Sequence, residues 1–182
     1  MAGQGGAGGG RGAPDAAAAF LDETARAQSM NAPDHGPGVR LPPPVLVGGV
    51  LALGWGAHLF LPVVLGPPLP NFGMLVVFLG IALIGWALLA LVQAGNDPRP
   101  DRPDAALVVA GPFRFSRNPI YLGFLVVVLG FALRWGDLWG WLALFGCHLA
   151  LDRLVVAKEE AYLTTRFGDA YDAYRKRVRR WV

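Results

Sequence analysis

Two stretches of the chain carry side chains able to do chemistry. The first, Gly111-Pro112-Phe113-Arg114-Phe115-Ser116-Arg117-Asn118-Pro119-Ile120-Tyr121-Leu122-Gly123, lies where a charged loop passes into an apolar run. It sets two arginines, an Asn-Pro pair, a tyrosine and a glycine at the water boundary, where a polar cofactor could meet a lipid-soluble substrate. The second contains His148, Asp152, Arg153, Glu159, Glu160 and Arg166. At about 100° per residue, His148, Asp152, Glu159 and Arg166 share one helical face, and Arg153, Glu160 and Phe167 define the adjacent one. A central Arg, Lys or Asp costs about 2.5 to 3.5 kcal/mol at membrane depth, so such a polar wedge should face a bundle interior or a watery cavity. The plainer alternative is a set of internal ion pairs, Arg153 with Glu160 for instance, that anchor the helix end at the headgroups.

The elements that position these residues follow from hydropathy. The 182 residues are 54% hydrophobic and only 16% charged, against about 25% charged in a soluble domain. A membrane span needs roughly 20 apolar residues, and residues 45–65 and 72–94 supply such runs without one Asp, Glu, Lys or Arg. Residues 120–135 are shorter, and 138–157 carry His148, Asp152 and Arg153, so these two read as a hairpin turning at Arg134-Trp135-Gly136-Asp137. The expected fold is all-α: a polytopic membrane bundle of about four transmembrane helices with a C-terminal amphipathic helix. Pro62 should kink the first span. The turn Gly66-Pro67-Pro68-Leu69-Pro70-Asn71 should make the first two helices antiparallel neighbours, with Gly48, Gly49, Gly54, Gly56, Gly80 and Gly85 allowing close approach. Trp135, Trp139 and Trp141 suit an interfacial belt. Gly168 reads as a helix break. Beyond it Tyr171, Tyr174 and Val178 continue an apolar stripe begun by Leu163 and Phe167, opposite a basic face, in the manner of an interfacial helix roofing a cavity.

Residues 1–40 are Gly- and Ala-rich without a hydrophobic segment, and read as a disordered tail rather than a signal peptide, followed by a single membrane domain, 41–182. The basic residues before the first span, in the central loop and after the last fall on one side of a four-span bundle. The positive-inside rule then puts both termini and that loop in the cytoplasm, at the cytoplasmic (inner) membrane. The expected partners are the bilayer, with its anionic lipids, and a lipophilic substrate; nucleic acid is not expected. No metal site is expected, because His35, His58 and His148 are scattered and Cys147 has no spaced partner ligands. Cys147 reads as a packed small hydrophobe.

From Val108 to Trp181 the chain resembles the integral-membrane methyltransferases of the isoprenylcysteine carboxyl methyltransferase and phospholipid N-methyltransferase superfamily. The resemblance rests on the order and spacing of Gly-Pro-Phe, Ser-Arg-Asn-Pro-Ile-Tyr-Leu-Gly, an apolar hairpin, Glu159-Glu160, and Arg166-Phe167-Gly168 with Tyr171, Tyr174 and Val178. It implies S-adenosyl-L-methionine as cofactor, held by Arg117, Asn118, Pro119, Tyr121, Leu122 and Gly123 on one side and Glu159 and Glu160 on the other. Family members often have histidine where Asn118 stands; Asn keeps a donor and an acceptor but does not titrate near neutrality. The resemblance also implies catalytic roles for Glu160 and Arg166 beside the acceptor, although a separation of six puts them on different faces of a continuous helix. Arg166 suits a carboxylate by a bidentate grip, which tips the expected acceptor towards an isoprenylcysteine-like carboxylate over a phospholipid amine. A reductase using NADPH, similar in architecture to the steroid 5-alpha-reductases, and a non-enzymatic membrane subunit are the competing classes.

Overall fold

Proline opens each of the first three helices: α1 (Pro43–Phe60), α2 (Pro70–Gln93) and α3 (Pro119–Trp135) all carry it in their first turn. A first-turn residue has no intrahelical partner for its N–H, so proline loses nothing there and arrives with φ already helical. The computed structural model describes residues 38, 41–97 and 104–182. The tail assigned to residues 1–40 lies outside the described residues apart from Gly38, as do Arg99 and Arg102 of the central loop.

The α1 helix ends at Phe60, five residues before the expected end of the first span, and Pro62 terminates it rather than kinking it. The residue before a proline is pushed out of the α region, and Leu61 takes φ −142°, ψ 62°. The extended stretch that follows is laid against the turn between α3 and α4 (Leu138–Ala150). Leu65 and Gly66 donate N–H groups to the Gly136 carbonyl at 3.0 and 3.1 Å, Leu138 donates to Val63 at 2.9 Å, and Leu69 to Leu133 at 2.9 Å. Irregular backbone near lipid must find partners within the protein, and these bonds supply them. Gly136 takes the left-handed conformation, φ 67°, that closes α3. Asp137 then caps α4, accepting from the Gly140 N–H at 3.1 Å, while its other oxygen lies 2.6 Å from Nδ1 of His58, which stacks on Trp135. Trp139 donates to the Leu61 carbonyl, so two of the three tryptophans at this end have protein partners.

Packing departs from the expected order. The α2 helix packs along α3, and α1 packs on α4 rather than on α2. Small residues explain the first contact. A Cβ on Gly73 would lie 2.5 Å from the Gly130 carbonyl oxygen, and one on Gly80 would lie 2.8 Å from that of Gly123. These two glycines on each helix, seven residues apart, let the backbones meet face to face. Of the six glycines singled out from the sequence, Gly80 and Gly54 make such contacts; Gly48, Gly49, Gly56 and Gly85 have nothing within 4 Å. Leu53, Phe60, Phe78, Leu89 and Phe145 point outward and are exposed, as an apolar solvent allows. Pro43–Phe60, Pro70–Gln93 and the continuous path Leu138–Arg177 are long and apolar enough to cross a membrane; Pro119–Trp135 is apolar but 17 residues long. Among the described residues there is no strand, only one bridge between Val64 and Asp137.

After Ala150 the helix passes through a π-helical stretch, Leu151–Val156, into α5 (Ala157–Arg177), which bends at Gly168 with φ 47°, ψ −125°. The expected break is present. The π-stretch was not expected, and it changes the faces. Two residues eight positions apart sit about 80° apart on an α-helix; a π-turn absorbing one residue makes the effective spacing seven and the offset about 20°. Asp152 therefore shares a face with Glu160 instead of Glu159. Around the bend, Phe167, Tyr171 and Tyr174 are buried against Leu107, Leu163 and Val178, while Arg175, Lys176, Arg177 and Arg179 are exposed.

The glycine contact makes a direct prediction. Gly130→Val places side-chain atoms where Val77 and the Gly73 carbonyl already sit, and overpacking of this kind costs about 1 to 3 kcal/mol. A lower thermal midpoint in detergent is expected for Gly130→Val and no comparable drop for Gly85→Val; equal behaviour of the two would contradict the packing.

Candidate functional site

The run 111–123 is folded by what it touches at the far end of the chain. Gly111–Arg114 forms a single 3-10 turn, with Pro112 and Phe113 buried. Tyr174 donates its hydroxyl to the Phe113 carbonyl at 2.7 Å. The Arg117 N–H donates to the Arg179 carbonyl at 3.0 Å, and the Ser116 hydroxyl and Asn118 Nδ2 both donate to the Arg180 carbonyl at 3.1 Å. Asn118 thus ties down the C-terminal segment with its side-chain donor.

A cavity of about 140 Å³ opens under this roof, between the end of α2, the start of α3 and α5. Its apolar wall includes Leu91, Val108, Phe113, Ile120 and Leu163; its polar wall holds Arg117, Asn118, Tyr121, Glu159, Tyr162, Asp97 and Asp104. Tyr121 donates its hydroxyl to Glu159 Oε1 in a short bond. Asn96, itself buried, fixes the loop that carries Asp104: its Oδ1 accepts from the Ala105 and Ala106 N–H groups at 2.9 Å and its Nδ2 donates to the Ala106 carbonyl at 2.8 Å. The Asp104 N–H in turn donates to the Tyr162 hydroxyl at 3.2 Å. Burial pushes the Asp104 carboxyl up to about 6, with the nearby Arg166 opposing the shift.

Of the residues assigned from the sequence to a cofactor site, Arg117, Asn118, Pro119, Tyr121 and Glu159 line this cavity together. Leu122, Gly123 and Glu160 do not. Gly123 is spent on the contact with α2, where a Cβ would meet Ile84 at 2.5 Å. Glu160 turns to the other side of α5, where Arg117 Nη2 lies 3.0 Å from its Oε1 and Arg180 Nη2 lies 2.5 Å from its Oε2. The two assigned catalytic residues are apart: Arg166 is buried, donates its Nε to the Asp104 carbonyl at 2.5 Å, and lies over the Tyr162 ring. Arg153 is largely exposed beside Asp152, not paired with Glu160. His148 packs against the Trp181 ring rather than facing the cavity.

Arg117 carries the least satisfied chemistry. Its side chain is 10% exposed, and both Nε and Nη1 lack a hydrogen-bond partner among the described residues. A buried guanidinium with free donors at a cavity wall suits an incoming anion, because an unmade charged hydrogen bond is costly. Asn96, Asp104, Tyr162 and Arg180 were missed from the sequence. Tyr162 had a signal, standing three residues after Glu159 and so on its face; Asp104 and Arg180 were hidden among several like charges. Among the described residues no group of three or more His, Cys, Asp or Glu could hold a metal.

An apolar helical bundle with a cavity lined by both charged and apolar side chains, at the end away from its hairpin turn, is the class of protein that fold and site define. The sequence profile of the phospholipid methyltransferase family matches residues 70–170, more than half of the chain. A 63-residue stretch is 36% identical to an uncharacterized protein of Haemophilus influenzae, covering 35% of this chain and 100% of that one. Over 94 residues the chain is 33% identical to the protein-S-isoprenylcysteine O-methyltransferase of Schizosaccharomyces pombe, covering 49% of this chain and 40% of that enzyme. No solved structure matches at a significant level. The chain belongs to the phospholipid methyltransferase family, and is a membrane methyltransferase.

The Asp104 environment has a pH signature. Its folded value, about 6, lies above the ordinary 3.8, so the neutral acid is the form the fold prefers. That contribution is complete below about pH 4 and lost as pH rises through about 6. Asp104→Asn stays neutral throughout. Its thermal midpoint relative to wild type is therefore expected to improve between about pH 4.5 and 7.5, measured in detergent; a constant offset would contradict the assignment.

Proposed function

We propose that this protein transfers a methyl group from S-adenosyl-L-methionine to a lipophilic acceptor whose reacting group lies at headgroup depth, on the cytoplasmic side of the membrane. The observation that carries this reading is the cavity's composition: buried, unpartnered Arg117 donors together with Glu159, Asp97 and Asp104 above an apolar wall. Bound here, S-adenosyl-L-methionine supplies a methyl carbon activated by a positively charged sulfur. Arg117, with its free Nε and Nη1, would hold the carboxylate of that molecule, and Glu159, Asp97 and Asp104 would balance its positive charges. The apolar wall suits the hydrocarbon of the acceptor. Displacement at a methyl carbon needs the two partners held in line, so positioning should supply most of the rate gain. A pyridine nucleotide fits less well, since its phosphates would meet three carboxylates.

Two acceptor classes follow from different observations. A carboxylate is already an ionised nucleophile at pH 7, and the likeness to an isoprenylcysteine O-methyltransferase supports it. The residue that favoured it, Arg166, donates to the Asp104 backbone and does not line the cavity. An amine must lose a proton before attack, and Glu159, at the cavity wall with Tyr121 on one oxygen, is placed to take it. The acidic lining favours this second reading.

A single assay decides both points. The full chain in lipid nanodiscs is given labelled S-adenosyl-L-methionine and a membrane lipid extract, and the labelled product is treated with alkali. Release of volatile methanol identifies a methyl ester, and alkali-stable label identifies a methylated amine. For an amine acceptor, Glu159→Gln is expected to lower kcat/KM by about a hundredfold or more. Absence of transfer, or displacement of the bound donor by NADPH at equal concentration, would overturn the methyltransferase reading of this site.

A further inference from the structure

The C-terminal segment beyond α5 does more than close the roof. Arg180 reaches back into the helix and bridges two carboxylates, with Nη2 2.5 Å from Glu160 Oε2 and Nη1 3.1 Å from Asp152 Oδ1. Trp181 Nε1 lies 3.3 Å from the same Asp152 oxygen. The remaining oxygen of Glu160, Oε1, lies 3.0 Å from Arg117 Nη2 as an ion pair, without the alignment of a hydrogen bond. The result is an alternating chain, Asp152, Arg180, Glu160, Arg117, with no net charge and its last member at the cavity wall. The π-stretch makes the bridge possible by bringing Asp152 and Glu160 onto one face.

An arginine and a carboxylate left to themselves pair through two parallel bonds. Here only Oε1 of Glu160 lies against Arg117, as an ion pair at 3.0 Å, because Oε2 is held by Arg180. Arg117 consequently keeps Nε and Nη1 free, and among the described residues these two stand, with Glu160 Oε1 and the Tyr171 hydroxyl, as the buried side-chain atoms without a hydrogen-bond partner.

Resting on the donor reading above, we propose that Arg180 is a positioning residue for the methyl donor: by occupying one oxygen of Glu160, it prevents a bidentate Glu160–Arg117 pair and keeps Arg117 open to the donor's carboxylate. Removing Arg180 lets Glu160 turn both oxygens to Arg117 and compete with the ligand. The role is exerted on donor affinity, through Arg117, and not on the transfer step.

Equilibrium binding of labelled S-adenosyl-L-methionine to the full chain in nanodiscs tests this without turnover. Arg180→Ala is expected to weaken binding by about tenfold, the equivalent of one charge-assisted hydrogen bond. Arg180→Lys, which can hold Glu160 but not span both carboxylates, should fall between. The decisive variant is Arg180→Ala combined with Glu160→Gln: with the competing carboxylate gone, affinity is expected to recover to within about threefold of wild type. Loss of a merely structural contact would be deepened, not repaired, by the second substitution. Wild-type affinity in Arg180→Ala, or no recovery in the double variant, overturns the proposal. Failure of the wild-type chain to bind the donor overturns the donor reading and this role with it.

Discussion

Glu160 is a carboxylate buried at the end of a membrane helix, and most of the site depends on how it is neutralised. An unpaired charge in such a position is expensive enough to unfold a local structure, whereas a paired and hydrogen-bonded one is tolerated. Two arginines more than sixty residues apart in the chain converge on it, Arg117 from just before α3 and Arg180 from beyond α5. That convergence draws the C-terminal segment across the loop. The bonds from the Arg117 N–H, the Ser116 hydroxyl and Asn118 Nδ2 to the Arg179 and Arg180 carbonyls accompany it. The cavity exists because this tie holds the roof, through Tyr174 and Phe113, over the ends of α2 and α3.

The two glutamates illustrate what adjacent residues do on a helix, where neighbours point about 100° apart. Glu159 faces the cavity and Tyr121; Glu160 faces the arginines. One takes part in the surface a ligand meets, and the other holds that surface in place. A pair of acidic residues in a sequence thus marks a location without saying which member touches the ligand.

Much of the fold was legible because its causes are local. Long charge-free runs give the spans, prolines give helix starts, Gly136 and Gly168 give a turn and a bend, and the stripe Phe167, Tyr171, Tyr174 gives the buried face of the last helix. Helix pairing was not legible, because a short loop between α1 and α2 suggests neighbours while the glycines that decide the matter, Gly73, Gly80, Gly123 and Gly130, act through distance in space. The cavity was half legible. Arg117, Asn118, Tyr121 and Glu159 were found by motif and boundary position. Glu160 and Asp152 were assigned to different faces because helical arithmetic assumes an uninterrupted 3.6-residue turn, and Leu151–Val156 breaks it.

The two ends of the bundle solve one physical problem in opposite ways. At the hairpin end, Asp137 is fully buried, with one oxygen on the Gly140 N–H and the other beside His58, and the irregular backbone around it is bonded to itself. Nothing there is left unsatisfied among the buried side-chain atoms, and such an end is a lock. At the other end, the unsatisfied buried atoms belong to Arg117, Glu160 and Tyr171. Since a folded chain pairs nearly all its buried polar groups, a cluster of exceptions beside a cavity is where binding energy is available. The same arginine that pairs by charge with Glu160 keeps Nε and Nη1 uncommitted, so the ionic network that holds the roof also leaves room for a ligand beneath it.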